Sequence, residues 1–173
     1  MGSENEVVII VPNKDFRDQE YTETVRILHE YSIGYKIAAI TPGECFGVEG
    51  TEVATDISVD EIDPTEFAGV IFVGGPGVEL SLHDEKLQNL AKAFNSAGKI
   101  VGAICWAVSI LANSGILSDK KATGWSGCKE ELEKGGAQYT GEAVTVHQNI
   151  ITANGPDSAD LFGEKIANAI AGN

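Results

Sequence analysis

The chain has 173 residues, 43% of them hydrophobic and 22% charged, with a net charge of −14. This length fits one domain over residues 1–173 with a sizeable core, and the negative charge argues against nucleic acid and against an anionic membrane surface as partners. Three widely spaced cysteines, Cys45, Cys105 and Cys128, suit a reducing, cytoplasmic setting and neither a disulfide framework nor a metal site.

Residues 1–5 read as a polar, mobile lead-in. Glu6–Val11 is an apolar run of the kind found in strands buried on both faces, and Pro12 ends it. After the loop Asn13–Phe16, a helix is predicted from about Arg17 to Tyr31, with Tyr21, Val25, Leu28 and Tyr31 inward. Glu20 falls in its first turn, just beyond the C-terminal end of the first strand, the edge where open α/β sheets build their sites. By itself such a Glu need only complement the helix dipole.

Tyr35–Ile40 is a second strand, and Phe46–Ala54 suggests a small hairpin. Ser58–Glu66 is acidic and loop-like, and Ala68–Val73 is another buried strand. Gly74-Gly75-Pro76-Gly77 then ends that strand abruptly; such a loop lets backbone N–H groups approach a ligand closely. No Gly-Lys-Ser/Thr follows, so it is not a P-loop. A helix over His83–Ser96 carries Leu87, Leu90, Ala91 and Phe94 on one stripe.

Lys99–Ala112 turns from buried strand to helix with no Pro, Asn or Asp between the halves. Cys105 stands at that junction, between Ala103 and Ala107. Small flanking residues are what a sharp strand-to-helix turn needs, so Ala-x-Cys-x-Ala reads as a thiol version of the nucleophile elbow. A helix N-terminus there would favour thiolate. The residues alone leave two readings of Cys105 open, an activated thiol and a buried, inert one.

Lys120–Gly124 is a short strand leading to Trp125, a residue of either core or pocket wall. Ser126 opens a helix through Leu132. Ala143–His147 and Ile150–Ala153 flank Gln148-Asn149 as a hairpin. Asn154-Gly155-Pro156 breaks the chain before a last helix with Leu161, Ile166 and Ile170 inward. The alternation of strands and helices predicts a layered α/β/α sandwich.

Three blocks in this order resemble the ThiJ/PfpI superfamily: Phe16-Arg17-Asp18-Gln19-Glu20, Val70-Ile71-Phe72-Val73-Gly74-Gly75, and Ala103-Ile104-Cys105. Thr152-Ala153-Asn154-Gly155-Pro156 and its helix are similar to that family's C-terminal end. The superfamily includes the Parkinsonism-associated protein deglycase, PfpI-type intracellular proteases, glyoxalases and isonitrile hydratases. The resemblance implies a flavodoxin-like three-layer α/β/α sandwich with a mostly parallel sheet and a nucleophile elbow, commonly in a homodimer. It implies Cys105 as nucleophile, Glu20 as its carboxylic acid partner, and the backbone N–H groups of Gly75 and Trp106 as oxyanion donors. Gly74, Trp106 and Trp125 are the expected pocket residues.

The departures limit the chemistry. PfpI-type proteases have His directly after the nucleophilic Cys; here the residue is Trp106, whose indole should narrow or roof the pocket. None of His29, His83 and His147 stands where the better-known members place an imidazole. A thiolate and one carboxylic acid suit addition to a reactive aldehyde or isonitrile carbon better than amide hydrolysis, which benefits from an acid at the leaving amine. The first expectation is therefore a small-molecule hydratase or glyoxalase/deglycase-like lyase. The alternatives are an oxidative-stress, redox-sensing or chaperone-like dimer that uses oxidation of Cys105, and a non-catalytic dimeric scaffold whose pocket Trp106 fills. No cofactor is implied.

Overall fold

A computed structural model describes residues 4–173. Its strands are β1 (Glu6–Ile10), β2 (Lys14–Phe16), β3 (Gly34–Ala39), β4 (Glu44–Gly47), β5 (Glu52–Ala54), β6 (Ile57–Ser58), β7 (Gly69–Phe72), β8 (Ile100–Ile104), β9 (Lys121–Ala122), β10 (Gln138–Tyr139), β11 (Val144–His147) and β12 (Ile150–Ala153). Its α-helices are α1 (Asp18–Glu30), α2 (Glu85–Ser96), α3 (Val108–Ser114), α4 (Lys129–Lys134) and α5 (Ala159–Ile170). Of the expected lead-in, residues 1–3 lie outside the described part. Asn5 is held: its side chain donates to the Ser32 carbonyl at 2.7 Å, and its own carbonyl accepts from Gly34 N–H.

The main sheet has the order β11-β12-β8-β7-β1-β3-β6, parallel throughout except for β11. Its five inner parallel strands follow the flavodoxin-like arrangement, with the topological switch between β1 and β7. Alternation along β1 supplies both layers of the core. Val7 and Ile9 face Leu28 of α1 and Phe162 and Ile166 of α5; Val8 and Ile10 face Leu87 and Phe94 of α2 and Leu111 of α3. Strands covered on both faces are apolar at successive positions, as the runs in the sequence suggested.

Local boundaries differ where side chains set the phase. Helix α2 starts at Glu85, after His83, because Asp84 caps it by accepting from the N–H groups of Lys86 and Leu87. A 3-10 turn over Pro156–Ser158 delays α5, so Phe162 and not Leu161 points inward; Leu161 is exposed. Tyr31 lies beyond the last turn of α1 and is likewise exposed.

Small sheets decorate the C-terminal edge. β4 and β5 form the expected hairpin, and β2 pairs with β4. Asp18, buried at the start of α1, clasps the hairpin loop by accepting from Glu49 N–H at 2.8 Å and Thr51 N–H at 2.9 Å. This clasp fixes the entry of α1, and with it the height of Glu20 above the sheet. Asp18→Ala strands both N–H groups and should lower the unfolding free energy by about 2 kcal/mol, measured by urea denaturation.

Candidate active site

Four strand ends meet at one edge. Beyond β1 come Arg17 and, in the first turn of α1, Glu20; Gly74 and Gly75 follow β7, Cys105 follows β8, and Asn154 follows β12. Ile104 is still extended at φ −130° and ψ 145°, Cys105 has φ 62°, and Val108 is helical at φ −60° and ψ −28°. The turn thus takes place within three residues, with a non-glycine residue in the left-handed region; such a conformation costs on the order of 1–3 kcal/mol and clusters at sites. It holds the sulfur above the sheet edge, half-buried.

Gly74 and Gly75 are spacers as much as a turn. A Cβ on Gly74 would stand 2.7 Å from the Ile104 carbonyl oxygen, 2.8 Å from the Cys105 Cβ and 2.8 Å from Glu20 Oε1. Only a glycine leaves Glu20 and Cys105 room to approach each other across this strand end. Gly75 has φ 116°, and a Cβ there would meet the backbone of Asp15, Phe16 and Arg17, which crosses over it. That crossing is fastened by Arg17 N–H donating to the Gly74 carbonyl at 2.9 Å. Gly74→Ala should cost about 1–3 kcal/mol by overpacking against fixed backbone, read from the urea midpoint.

Glu20 is wholly buried, and its carboxyl oxygens have no N–H or O–H partner among the described residues. Burial pushes the carboxyl up to about 8, against the opposing pull of the Arg17 charge and the Cys105 thiol. An unpartnered buried carboxylate is costly, so the group holds its proton and the sulfur is the acceptor it faces. Burial and then the negative charge of Glu20 push the Cys105 thiol up to about 12, while the N–H groups of Trp106 and Gly75 pull it down. This corrects the expectation of a thiol that ionises easily through a helix terminus. Helix α3 has seven residues, and burial outweighs it. The partner's charge state comes second: once Glu20 is an acid its repulsion vanishes and burial alone opposes the two N–H groups and one O–H that would hold a thiolate. The two groups titrate as a coupled pair.

The sulfur opens into a pocket of about 310 Å³ lined by Arg17, Gly75, Pro76, Cys105, Trp106, Trp125, Asn154 and Pro156. Trp106 does not fill it. The indole packs beside Trp125 at 5.5 Å between ring centroids, and its Nε1 donates to Glu131 Oε2 at 3.3 Å, which holds the ring as a wall. Trp125 forms the adjoining, half-exposed wall. Gly74 and Glu20 do not line the pocket; they lie beneath Cys105. The sequence reading missed Arg17, Pro76, Asn154 and Pro156. One signal was available for Arg17, which is one of two arginines in the chain and stands three residues before Glu20.

No imidazole lines the pocket. His29 is exposed against Tyr35, His83 is exposed at the foot of α2, and His147 Nδ1 accepts from Lys121 N–H at 3.1 Å, tying β11 to β9. Cys128 is buried with its thiol toward the Cys105 carbonyl at 3.9 Å, and Cys45 is buried near Asn13.

Burial of Glu20 has a pH signature that appears once the coupled thiol is removed. In a Cys105→Ala background, where the lowering pull of the thiol is gone, the raised carboxyl stabilises the fold fully below the unfolded value of about 4.5. That contribution is lost as pH rises through the raised folded value. Unfolding free energy should fall by about 1.4 kcal/mol per pH unit across the window, and adding Glu20→Gln should flatten the profile.

The chain matches known proteins over nearly its whole length. The DJ-1/PfpI family model matches residues 5–169. The chain is 30% identical to the Bacillus subtilis protein YraA, which bears a cysteine-protease name, over 94% of this chain and 97% of that one. It is 29% identical to the deglycase PH1704 of Pyrococcus horikoshii, covering 90% of this chain and 92% of the relative. The crystal structure of a ThiJ/PfpI domain protein from Brachyspira murdochii superposes with a TM-score of 0.96 at 32% identity, covering 99% of each chain. A match over nearly all of the chain, with the strained cysteine at the end of β8 and the carboxyl beneath it, places this protein in the DJ-1/PfpI family.

Proposed function

We propose that the protein is a cysteine-dependent enzyme of glyoxalase or deglycase type, adding the Cys105 thiolate to the electrophilic carbon of a small carbonyl compound. One observation carries the reading: a buried, unpartnered carboxyl faces a half-buried thiol at the floor of an open pocket. The deglycase name of the Pyrococcus horikoshii relative points the same way.

With a 2-oxoaldehyde the steps balance without an external oxidant. The thiolate attacks the aldehyde carbon, a C–S bond forms, and the carbonyl electron pair moves to oxygen beside the N–H groups of Gly75 and Trp106. Glu20 gives that oxygen its proton. As a carboxylate it then takes the hydrogen of the former aldehyde carbon as a proton, and the neighbouring ketone carbon receives one. The aldehyde carbon is oxidised and the ketone carbon reduced, leaving a thioester. Water cleaves it to a 2-hydroxycarboxylic acid and restores the thiol. Addition to an isonitrile carbon would use the same thiolate and the same acid.

Amide hydrolysis is disfavoured, because no pocket residue is an imidazole placed to protonate a leaving amine. The open pocket also speaks against the scaffold reading, in which Trp106 occupies the cavity.

The test is turnover of methylglyoxal to lactate, run beside an isonitrile and a fluorogenic peptide. Expected is aldehyde turnover that Cys105→Ser abolishes and Glu20→Gln lowers by roughly 10²–10⁴-fold, with no peptide cleavage. Absence of turnover on aldehyde and isonitrile together, with Cys105 gaining two oxygens under mild peroxide, would replace the enzyme reading with the redox one.

A further inference from the structure

The pocket holds two polar side chains that the steps above do not use, Arg17 and Asn154. The chain's other arginine, Arg26, is committed to Glu23 and Glu30 on the surface of α1. Arg17 forms no ion pair among the described residues, although the chain carries 26 acidic residues. It is half-buried at the start of α1, and its backbone N–H is fixed to Gly74. A half-buried guanidinium with no ion-pair partner is a binding group for a planar anion.

Asn154 is oriented for the same task. Its Oδ1 accepts from Ser158 Oγ at 2.7 Å, and its backbone N–H donates to the Ala143 carbonyl. With Oδ1 on the Ser158 hydroxyl, Nδ2 has no acceptor of its own among the described residues. Arg17 and Asn154, from two separate strand ends, therefore line one cavity. The remaining walls are apolar: Trp106, Trp125, Pro76 and Pro156. A pocket of about 310 Å³ is at the small end for small-molecule sites, which span about 300–1,000 Å³. The ligand it suits is short, with an electrophile for the sulfur and an anionic group for the donors.

We propose that Arg17 and Asn154 hold the carboxylate of the substrate, so that this site selects 2-oxoaldehydes with an acidic tail over neutral ones. The proposal rests on the reading of Cys105 as a nucleophile toward 2-oxoaldehydes. The simplest probe is 4,5-dioxopentanoate, which has the reactive end of methylglyoxal and a terminal carboxylate. One water is added across the reaction, the aldehyde carbon is oxidised, the ketone carbon is reduced, and 2-hydroxyglutarate leaves. The field of a chain with net charge −14 opposes an approaching anion, so the preference arises at short range from these two side chains.

Two measurements test it. The first is kcat/KM for 4,5-dioxopentanoate and for methylglyoxal in wild type, Arg17→Lys and Arg17→Met. Expected is a wild-type ratio above 10 in favour of the acid, a fall of at least tenfold in that ratio in Arg17→Met, carried by KM, and an intermediate ratio in Arg17→Lys. A wild-type ratio near one, or equal losses on both substrates in Arg17→Met, overturns the proposal; equal losses would mean that Arg17 acts through the Glu20–Cys105 pair. The second needs no turnover. Trp106 and Trp125 are the chain's two tryptophans and both line the pocket, so their emission reports occupancy. In Cys105→Ser protein, glutarate should quench saturably and its uncharged diamide should not, and Arg17→Met should remove the glutarate signal. If neither aldehyde is turned over, the proposed function fails and this titration alone decides the carboxylate site: saturable, Arg17-dependent quenching upholds it, and a flat titration overturns it.

Discussion

The meeting of Glu20 and Cys105 across Gly74 is the constraint on which the site depends. A carboxyl and a thiol, both buried, cannot both be charged at that separation. One proton must stay, and its placement is decided by what else each group touches. Among the described residues the carboxyl has no N–H or O–H partner; the sulfur has the N–H groups of Gly75 and Trp106. The backbone around the pair is arranged for this. Gly74 lacks the Cβ that would separate the two groups, Gly75 lets the Asp15–Arg17 segment cross above it, and the left-handed Cys105 lifts the sulfur off the strand. The strain at Cys105 and the loss of hydration at Glu20 are offset by the apolar layers on either side of the sheet, which close over α1, α3 and α5.

Trp106 shows how one substitution can redirect such a site without closing it. Its backbone N–H serves the sulfur, while its side chain turns to Glu131 on α4 and packs at a tilt beside Trp125. Where a proton-carrying ring would stand in a protease-like arrangement, this chain has an apolar wall anchored at its far end. The cavity beside Cys105 stays open.

Much of the fold was legible in the sequence because strands covered on both faces leave continuous apolar runs. Glu6–Val11, Ala68–Val73 and Lys99–Ile104 needed no partner to be read. The junction at Cys105 was legible too, since Ala103 and Ala107 are the small neighbours that a sharp turn needs. Helix phase was less so: Leu161 and Tyr31 fit the periodicity, but a 3-10 turn at Pro156 and the end of α1 placed them outside. The ionisation of Cys105 was misjudged because burial is a property of the packed layers and leaves no local trace. Arg17 and Asn154 are 137 positions apart. Their convergence follows from the order of strands in the sheet, and only the assembled edge reveals it.

That order has a consequence for how the protein comes into being. Strand β12 lies between β8 and β11, yet it is the last strand made. Until it emerges, β8 has an open side, and Cys105 at its tip lacks the wall that Asn154 and Pro156 provide. A growing chain on the ribosome can carry the thiol long before it can carry the pocket. Parallel pairing across such sequence separation is slow, so there is an interval in which the cysteine is present without its selective surroundings. Until the final strand slides into place the thiol stands on an open strand end, and only then are the walls around it complete.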